Sequence, residues 1–221
     1  KEILAEHYLL RHMPAADLDR LAGFARSRSC QPNEPVFVKG DPAAGMMAVV
    51  EGRVRIVTYS AEGKEIVLNV INPGEVFGEI ALIDGGERTA DAVAMEPTEL
   101  LILERRDFLP YLERNPELCI KLLIMVCERI RATSEQIEDF SFLDLKARLA
   151  KRLIALTNSH GVPADEGTRI DMRLSQRELA AMMGTSREAV NKQLRAWQED
   201  GLILLKRGSV TVVDLDRLED V

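Results

Sequence analysis

Phe77-Gly78-Glu79-Ile80-Ala81-Leu82-Ile83-Asp84-Gly85-Gly86-Glu87-Arg88-Thr89-Ala90 is the stretch on which the reading of this chain turns. Gly78 lets the backbone approach another group closely, and Glu79–Ile83 is long enough for one helical turn. The N–H groups that open such a turn point outward and favour an anion. Asp84-Gly85-Gly86 folds the chain back so that Arg88 can face the turn, and its planar, permanently charged fork suits phosphate oxygens. A carboxylate is no phosphate ligand, so Glu79 is suited instead to accept from a sugar hydroxyl. The bland reading is that the glycines are plain turns and that Arg88 pairs with Glu87 or Asp91 on the surface.

Around this stretch, from Pro35 to about Leu103, short β-rich runs alternate with turn residues. Val36–Val38, Met46–Glu51, Arg53–Tyr59, Glu65–Ile71, Ala90–Ala94 and Glu99–Leu103 are separated by Gly40-Asp41-Pro42, Gly52, Glu62-Gly63 and Asn72-Pro73-Gly74. Regular short strands with turn chemistry between them predict a compact antiparallel barrel or roll. Before it, leucines and alanines at helical spacing predict a helix over Asp17–Arg28, packed on the outside of the barrel.

After Pro116 the pattern becomes helical for roughly 25 residues without Gly or Pro. Leu123, Cys127, Ile130, Ser134, Ile137 and Phe140 or Ser141 fall at alternating steps of four and three, a heptad seam that a second copy of the helix would cover. The alternative is a helix lying on its own domain. Thr133 and Ser134 put polar groups beside or within the seam. A second helix, about Asp144–Asn158, follows a hinge at Ser141–Leu143, and Ser159–Gly167 reads as a loop.

From Leu174 onward the chain reads as a separate unit. Ser175-Gln176-Arg177-Glu178 is a capping box opening a helix to about Met183. Gly184-Thr185-Ser186 is a tight turn, and Arg187–Asp200 a second helix. Leu179, Ala180, Met183, Val190, Leu194 and Trp197 face a core; Arg187, Glu188, Asn191, Lys192 and Arg195 lie on the other face. Two short helices joined through a Gly-containing turn make a helix-turn-helix, whose second helix enters the DNA major groove. Arg can read guanine there and Glu can accept from cytosine; capping alone would also explain Glu188. Gly201–Lys206 and Ser209–Val213 form a hairpin about Arg207-Gly208, with Lys206 and Arg207 placed for phosphate.

Composition narrows the classes. The chain has 221 residues, 46% apolar and 29% charged, enough for a folded core. The net charge is −7, yet residues 168–208 hold 8 Lys+Arg against 5 Asp+Glu, a small basic island on an acidic body. No apolar run reaches a membrane span and no signal-peptide pattern opens the sequence, so a cytoplasmic protein is expected. Cys30, Cys119 and Cys127 form no CxxC pair, and His7, His12 and His160 are scattered, so no metal site is expected. No catalytic constellation appears either, and an enzyme is not expected.

Residues 77–90 resemble the phosphate-binding cassette of cyclic-nucleotide-binding domains in their F-G-E-hydrophobic-A-L pattern, spacing and Arg-x-Ala ending. With the long helix and the winged helix in this order, the whole chain resembles the Crp/Fnr family of bacterial transcription regulators. The resemblance implies an α+β fold: a cyclic-nucleotide-binding β-roll, jelly-roll-like, over 1–115, a dimerisation helix and hinge over 116–143, and a winged helix-turn-helix DNA-binding domain over 144–221. It implies that Gly78, Glu79, Ile80 and Ala81 cradle phosphate and ribose, with Glu79 on the 2′-hydroxyl. Arg88 would clamp the cyclic phosphate and Thr89 add a hydroxyl. Thr at this place is frequent in cGMP-selective members, so cAMP and cGMP both stay open. Arg129, Thr133 and Ser134 match residues that meet the nucleotide in cAMP-binding members, Ser134 from the partner helix.

For DNA, the resemblance points to Gln176, Thr185, Ser186, Arg187, Glu188, Asn191 and Lys192, with Arg187, Glu188 and Lys192 at base-reading positions. Lys192 stands where cAMP-binding members carry Arg and lacks the bidentate fork. The expected partners are double-stranded DNA, a second copy of the chain through the 116–143 helix, and RNA polymerase if the protein is an activator, but no membrane. The family also contains regulators that act without nucleotide and others that sense gas or redox state; Cys30 alone does not make the N-terminal cysteine cluster of the iron–sulfur members.

Overall fold

A computed structural model describes residues 23–43, 45–172, 175–206 and 208–221. The chain divides into two compact units, residues 1–60 with 68–131, and residues 61–67 with 132–221.

The first unit is built on two four-stranded antiparallel sheets. One has the order β1 (Arg26–Cys30), β8 (Thr98–Glu104), β3 (Gly45–Glu51), β6 (Val76–Phe77), and the other β2 (Pro35–Phe37), β7 (Asp91–Ala94), β4 (Val54–Tyr59), β5 (Glu65–Ile71). Successive side chains of a strand point to opposite faces. On β3, Met47 and Val49 join Cys30, Val36, Val54, Ile71, Phe77, Ala92 and Leu100 in a cluster drawn from both sheets. The alternate residues Met46 and Ala48 join Leu82, Leu103, Phe108, Leu112, Leu118, Leu122 and Met125, a second cluster that includes three helices: α1 (Glu79–Asp84), α2 (Arg105–Leu112) and α3 (Pro116–Phe142). Covered on both sides, β3 reads as an unbroken apolar run.

The helix expected over Asp17–Arg28 is corrected in its last part, its first residues lying outside those described. Arg26–Arg28 belong to β1, paired antiparallel with β8 from Arg26↔Ile102 to Cys30↔Thr98. The sheet supplies hydrogen bonds that outweigh a helical pattern weakened by Ser27 and Ser29. Arg28 ties the strand down by donating to the carbonyls of Val36 and Pro35 and to Glu34.

The long helix α3 carries two apolar stripes. Leu118, Leu122 and Met125 are buried in the first unit, while Leu123, Ile130 and Ile137 are 57–60% exposed. The alternative of a helix lying on its own domain therefore describes its first turns, and the heptad seam remains on its open face.

In the second unit, α4 (Leu145–His160) is capped by Asp144, which accepts from Ala147 N–H. The expected loop at Ser159–Gly167 is a correction: α4 continues to His160, and β9 (Gly161–Ala164) pairs with β10 (Gly167–Ile170) about Asp165-Glu166. Gly167 makes the turn at φ +119°, where an added Cβ would lie 2.2 Å from the Val212 carbonyl. Strands β11 (Ile203–Lys206) and β12 (Ser209–Val212) complete the sheet in the order β11-β12-β10-β9. Helices α5 (Gln176–Met182), α6 (Arg187–Glu199) and α7 (Leu215–Glu219) supply much of the core, with Trp197, Val190, Leu194 and Leu218 buried. The segment Ala61–Val67, which includes the first residues of β5, groups with this unit: Lys64 Nζ donates to the Gly184 carbonyl in the α5–α6 turn at 2.5 Å.

Candidate functional site

The cassette's conformation follows from its glycines. Gly78, the N-cap of α1, sits at φ +77°, and a Cβ built on it would lie 2.4 Å from Arg88 Nη1. Gly85 ends the helix at φ +73°, with its N–H on the Ala81 carbonyl. Asp84 accepts from Gly86 N–H and turns the chain. Arg88 is then anchored by its backbone, Arg88 N–H to Asp41 O and Gly40 N–H to Arg88 O.

The Arg88 side chain is only 7% exposed. It does not pair with Glu87 or Asp91; it donates to the carbonyls of Gly78 (3.0 Å) and Gly45 (2.7 Å). Its guanidinium carbon lies 4.2 Å from the centre of the Phe37 ring. Burial pulls its pKa down, and the charges of Glu79 and Asp41 oppose that fall. It stays a cation, since guanidinium does not deprotonate in proteins, and each Nη keeps a second N–H for an acceptor.

Glu79 is 4% exposed, and a carboxylate so buried needs a partner. Arg129, on α3, supplies it through a 2.5 Å contact from Nη1 to Oε2, and Arg129 also donates to the Val76 carbonyl. One oxygen engaged in this way leaves acceptor capacity for a hydroxyl. The structure thus assembles Gly78, Glu79, Arg88 and Arg129 into one place, a buried cation beside a buried carboxylate. Ala81 is buried beneath the turn, whereas Ile80 and Thr89 are exposed on it. Thr133 and Ser134 are exposed on α3 within the second unit.

Three contributors escaped sequence reasoning. Gly45 and Phe37 hold Arg88 from strands distant in sequence, and Arg105 donates to the Leu82 carbonyl at 2.8 Å, closing the end of α1. No local pattern marks the first two; Arg105 had a weak signal, because α1 has no basic residue of its own in its last turn.

The second candidate surface is on α5 and α6. The capping box of Ser175 and Glu178 is formed in both directions. Ser186 caps α6, accepting from Ala189 N–H at 3.2 Å, and Thr185 N–H bonds the Ala180 carbonyl. Arg187, Glu188, Lys192 and Arg195 are exposed on one side of α6, opposite buried Val190, Leu194 and Trp197. The Glu188 carboxyl is held below the ordinary carboxylate range, first by its own backbone N–H and then by the Ser186 hydroxyl. The cap of α6 is Ser186 with Ala189 rather than Thr185 with Glu188, and Glu188 is an exposed carboxylate bonded at the start of the helix. Gln176 Nε2 donates to Asn191 Oδ1 at 3.0 Å, joining α5 to α6. A cleft of about 500 Å³ beside them is lined by Ser175, Gln176, Arg177, Arg187, Lys206 and Ser209, among others. Arg207 lies outside the described residues.

Comparison with known proteins matches both parts of the chain to family models. Residues 27–115 match the model of the cyclic nucleotide-binding domain, and residues 147–221 that of the Crp-like helix-turn-helix domain. The chain belongs to the Crp/Fnr family of transcription regulators. It is 33% identical to the cyclic AMP receptor protein of Thermus thermophilus, across 96% of this chain and 95% of that one. It is 31% identical to a CRP-like cAMP-activated global transcriptional regulator of Mycobacterium tuberculosis, over 83% and 82%. Among solved structures, the c-di-GMP responsive global regulator CLP of Xanthomonas campestris superposes with a TM-score of 0.80 at 26% identity, covering 90% of this chain and 99% of that one.

This Crp/Fnr chain is accordingly a cyclic-nucleotide-binding transcription regulator with a DNA-binding helix-turn-helix, and its fold is the α+β arrangement expected. Among the described residues there is no cluster of three His, Cys, Asp or Glu side chains that could hold a metal, and no helix long and apolar enough to cross a membrane. The Cys30 thiol is buried, and burial raises its pKa, which disfavours the reactive thiolate.

Proposed function

We propose that the protein is a cytoplasmic, homodimeric regulator that binds cAMP in the cassette and then a palindromic operator through α6. The observation that carries the ligand is the buried Arg88–Glu79 pair of charges about Gly78: cation for a cyclic phosphate, carboxylate for a ribose hydroxyl, and a residue without Cβ at Gly78 that lets Arg88 lie against the backbone. In this reading Ile80, Ala81 and Thr89 complete the phosphate and ribose contacts, and Arg129 orients Glu79. Thr133 contacts the base from its own subunit and Ser134 from the other.

The proposal divides the chain into a nucleotide-binding domain, 1–115, a dimerisation helix and hinge, 116–143, and a DNA-binding domain, 144–221. The open stripe of Leu123, Ile130 and Ile137 supports pairing of two α3 helices. Ligand contact with Thr133 and Ser134 then satisfies polar groups in that seam, tightens the pair and sets the two α6 helices one DNA turn apart. Arg187, Glu188 and Lys192 read base edges, while Thr185 and Ser186 approach phosphate and Gln176 and Asn191 complete the DNA-facing surface. RNA polymerase is the further partner where binding activates transcription.

Calorimetric titration of the purified protein with cAMP and then cGMP tests the ligand. Preference for cAMP upholds Thr133 and Ser134 as adenine readers. Preference for cGMP gives selectivity to Thr89, and silence from both refutes the cassette reading and favours a regulator that acts without these nucleotides.

A further inference from the structure

The hydrogen bond from Gln176 to Asn191 joins the first residue of α5 to the second turn of α6, across the helix-turn-helix. Both side chains are half-buried, whereas Arg187, Glu188 and Lys192 around them are exposed. The bond is therefore held in the angle between the helices rather than formed loosely on the surface. It also has a direction: Gln176 Nε2 donates, and Asn191 Oδ1 accepts. An asparagine amide has one acceptor oxygen and one donor nitrogen at opposite ends of a short plane. With Oδ1 engaged by α5, Nδ2 is the end of the amide that this bond does not use, on a residue of α6 that neighbours Arg187, Glu188 and Lys192.

That orientation has a consequence for base recognition. A free asparagine reads adenine by accepting from N6 and donating to N7 together. When its oxygen is turned away, it offers donors only. Guanine, with acceptors at both N7 and O6, satisfies a donor; adenine sets its own N6 amino group against it. We propose that Gln176 is a positioning residue that orients the Asn191 amide, and that through it Asn191 selects guanine over adenine at one base pair of each half-site. The proposal rests on the DNA-reading assignment of α6 and adds to it a specificity set from the neighbouring helix.

The test is selection of bound duplexes from a random pool by the full-length chain, with and without cAMP, for the wild type and three variants. Asn191→Ala locates the position, flattening one base pair of each half-site by about tenfold. At that position the wild type enriches guanine over adenine. In Gln176→Ala the amide is free to turn, and the preference falls at least fivefold or moves to adenine. Gln176→Glu inverts it, because a carboxylate can only accept, which draws Nδ2 back and leaves Oδ1 outward for the adenine amino group. A carboxylate in the first turn of a helix is also favourable, so this variant reads the proposal even where the alanine variant folds poorly.

Guanine preference unchanged in both Gln176 variants overturns the proposal, as does adenine at this position in the wild type or an Asn191→Ala profile identical to wild type. Failure of the wild type to enrich any sequence overturns the DNA-binding reading itself, an outcome separate from these.

Discussion

Replacing Gly78 by alanine isolates the construction of the anion cradle. Two costs arise. The residue sits at φ +77°, and a Cβ in the left-handed region costs about 1–2 kcal/mol. The new methyl would also lie 2.4 Å from Arg88 Nη1 and 3.3 Å from its Cζ, so the guanidinium has to move by roughly 1 Å to reach ordinary contact. Arg88 has little room to do so, being 7% exposed, stacked on Phe37 and bonded to Gly45 O. Losing its bond to the Gly78 carbonyl adds about 1.5–3 kcal/mol, the usual size for a charged donor. The sum is about 2.5–5 kcal/mol.

Gly74→Ala is the matched control. Gly74 has nearly the same backbone angle, φ +83°, in the same unit, with nothing within 4 Å of a built Cβ. It should lose only the backbone cost, about 1–2 kcal/mol. At about 4 °C per kcal/mol for a domain of this size, calorimetric melting of the first unit should fall by about 10–20 °C in Gly78→Ala and about 4–8 °C in Gly74→Ala. Nucleotide affinity should fall only in the former, by about 30-fold for a misplaced charged contact of about 2 kcal/mol. Equal melting losses in the two variants, or unchanged affinity in Gly78→Ala, would refute the reasoning that Gly78 exists to make room for Arg88 and a ligand.

Arg187→Ala should weaken binding to a selected operator about tenfold or more while changing binding to random duplex little, as read by competition at fixed salt; equal losses would make Arg187 a phosphate contact. Ile130 is 60% exposed on α3, so Ile130→Glu should convert the proposed dimer to a monomer in sedimentation velocity and leave the melting of each unit nearly unchanged. Glu188 titrates below its ordinary value, so its bonds at the start of α6 stabilise the helix at pH above the unfolded carboxyl's pKa, about 4.3, and are lost as pH falls through the lowered folded value. Base preference at its position should accordingly be the same at about pH 8 and pH 5, whereas Glu188→Gln should abolish it at both; loss already at about pH 6 would contradict the shift.

Local chemistry made much of this protein legible. The capping box at Ser175, the glycine between α5 and α6, and the 3.6-residue spacing of Leu179, Val190, Leu194 and Trp197 each act within a few residues, so the helix-turn-helix can be read directly. The same holds for α1, whose glycines at both ends sit at positive φ. The heptad spacing of α3 was legible as well, but not that its opening turns use a different stripe to cover the first unit.

What a residue meets across the fold was not legible. Arg26–Arg28 read as helix until β8, some seventy residues away, supplied a strand to pair with. The β9–β10 hairpin was hidden in a loop-like run of Gly, Pro, Asp and Glu, because its register is settled by β12 and its buried Ile170 rather than by its own composition. In the cassette, sequence by itself determined which residues carry charge and where the backbone must bend. Tertiary structure alone decided that Arg88 rests on Gly45 and Phe37, that Glu79 is neutralised by Arg129, and that Gln176 holds Asn191. The physical reason is range: propensity and capping are short-range terms written into neighbouring residues, whereas burial of a charge and the choice of its partner exist only once distant strands and helices have packed.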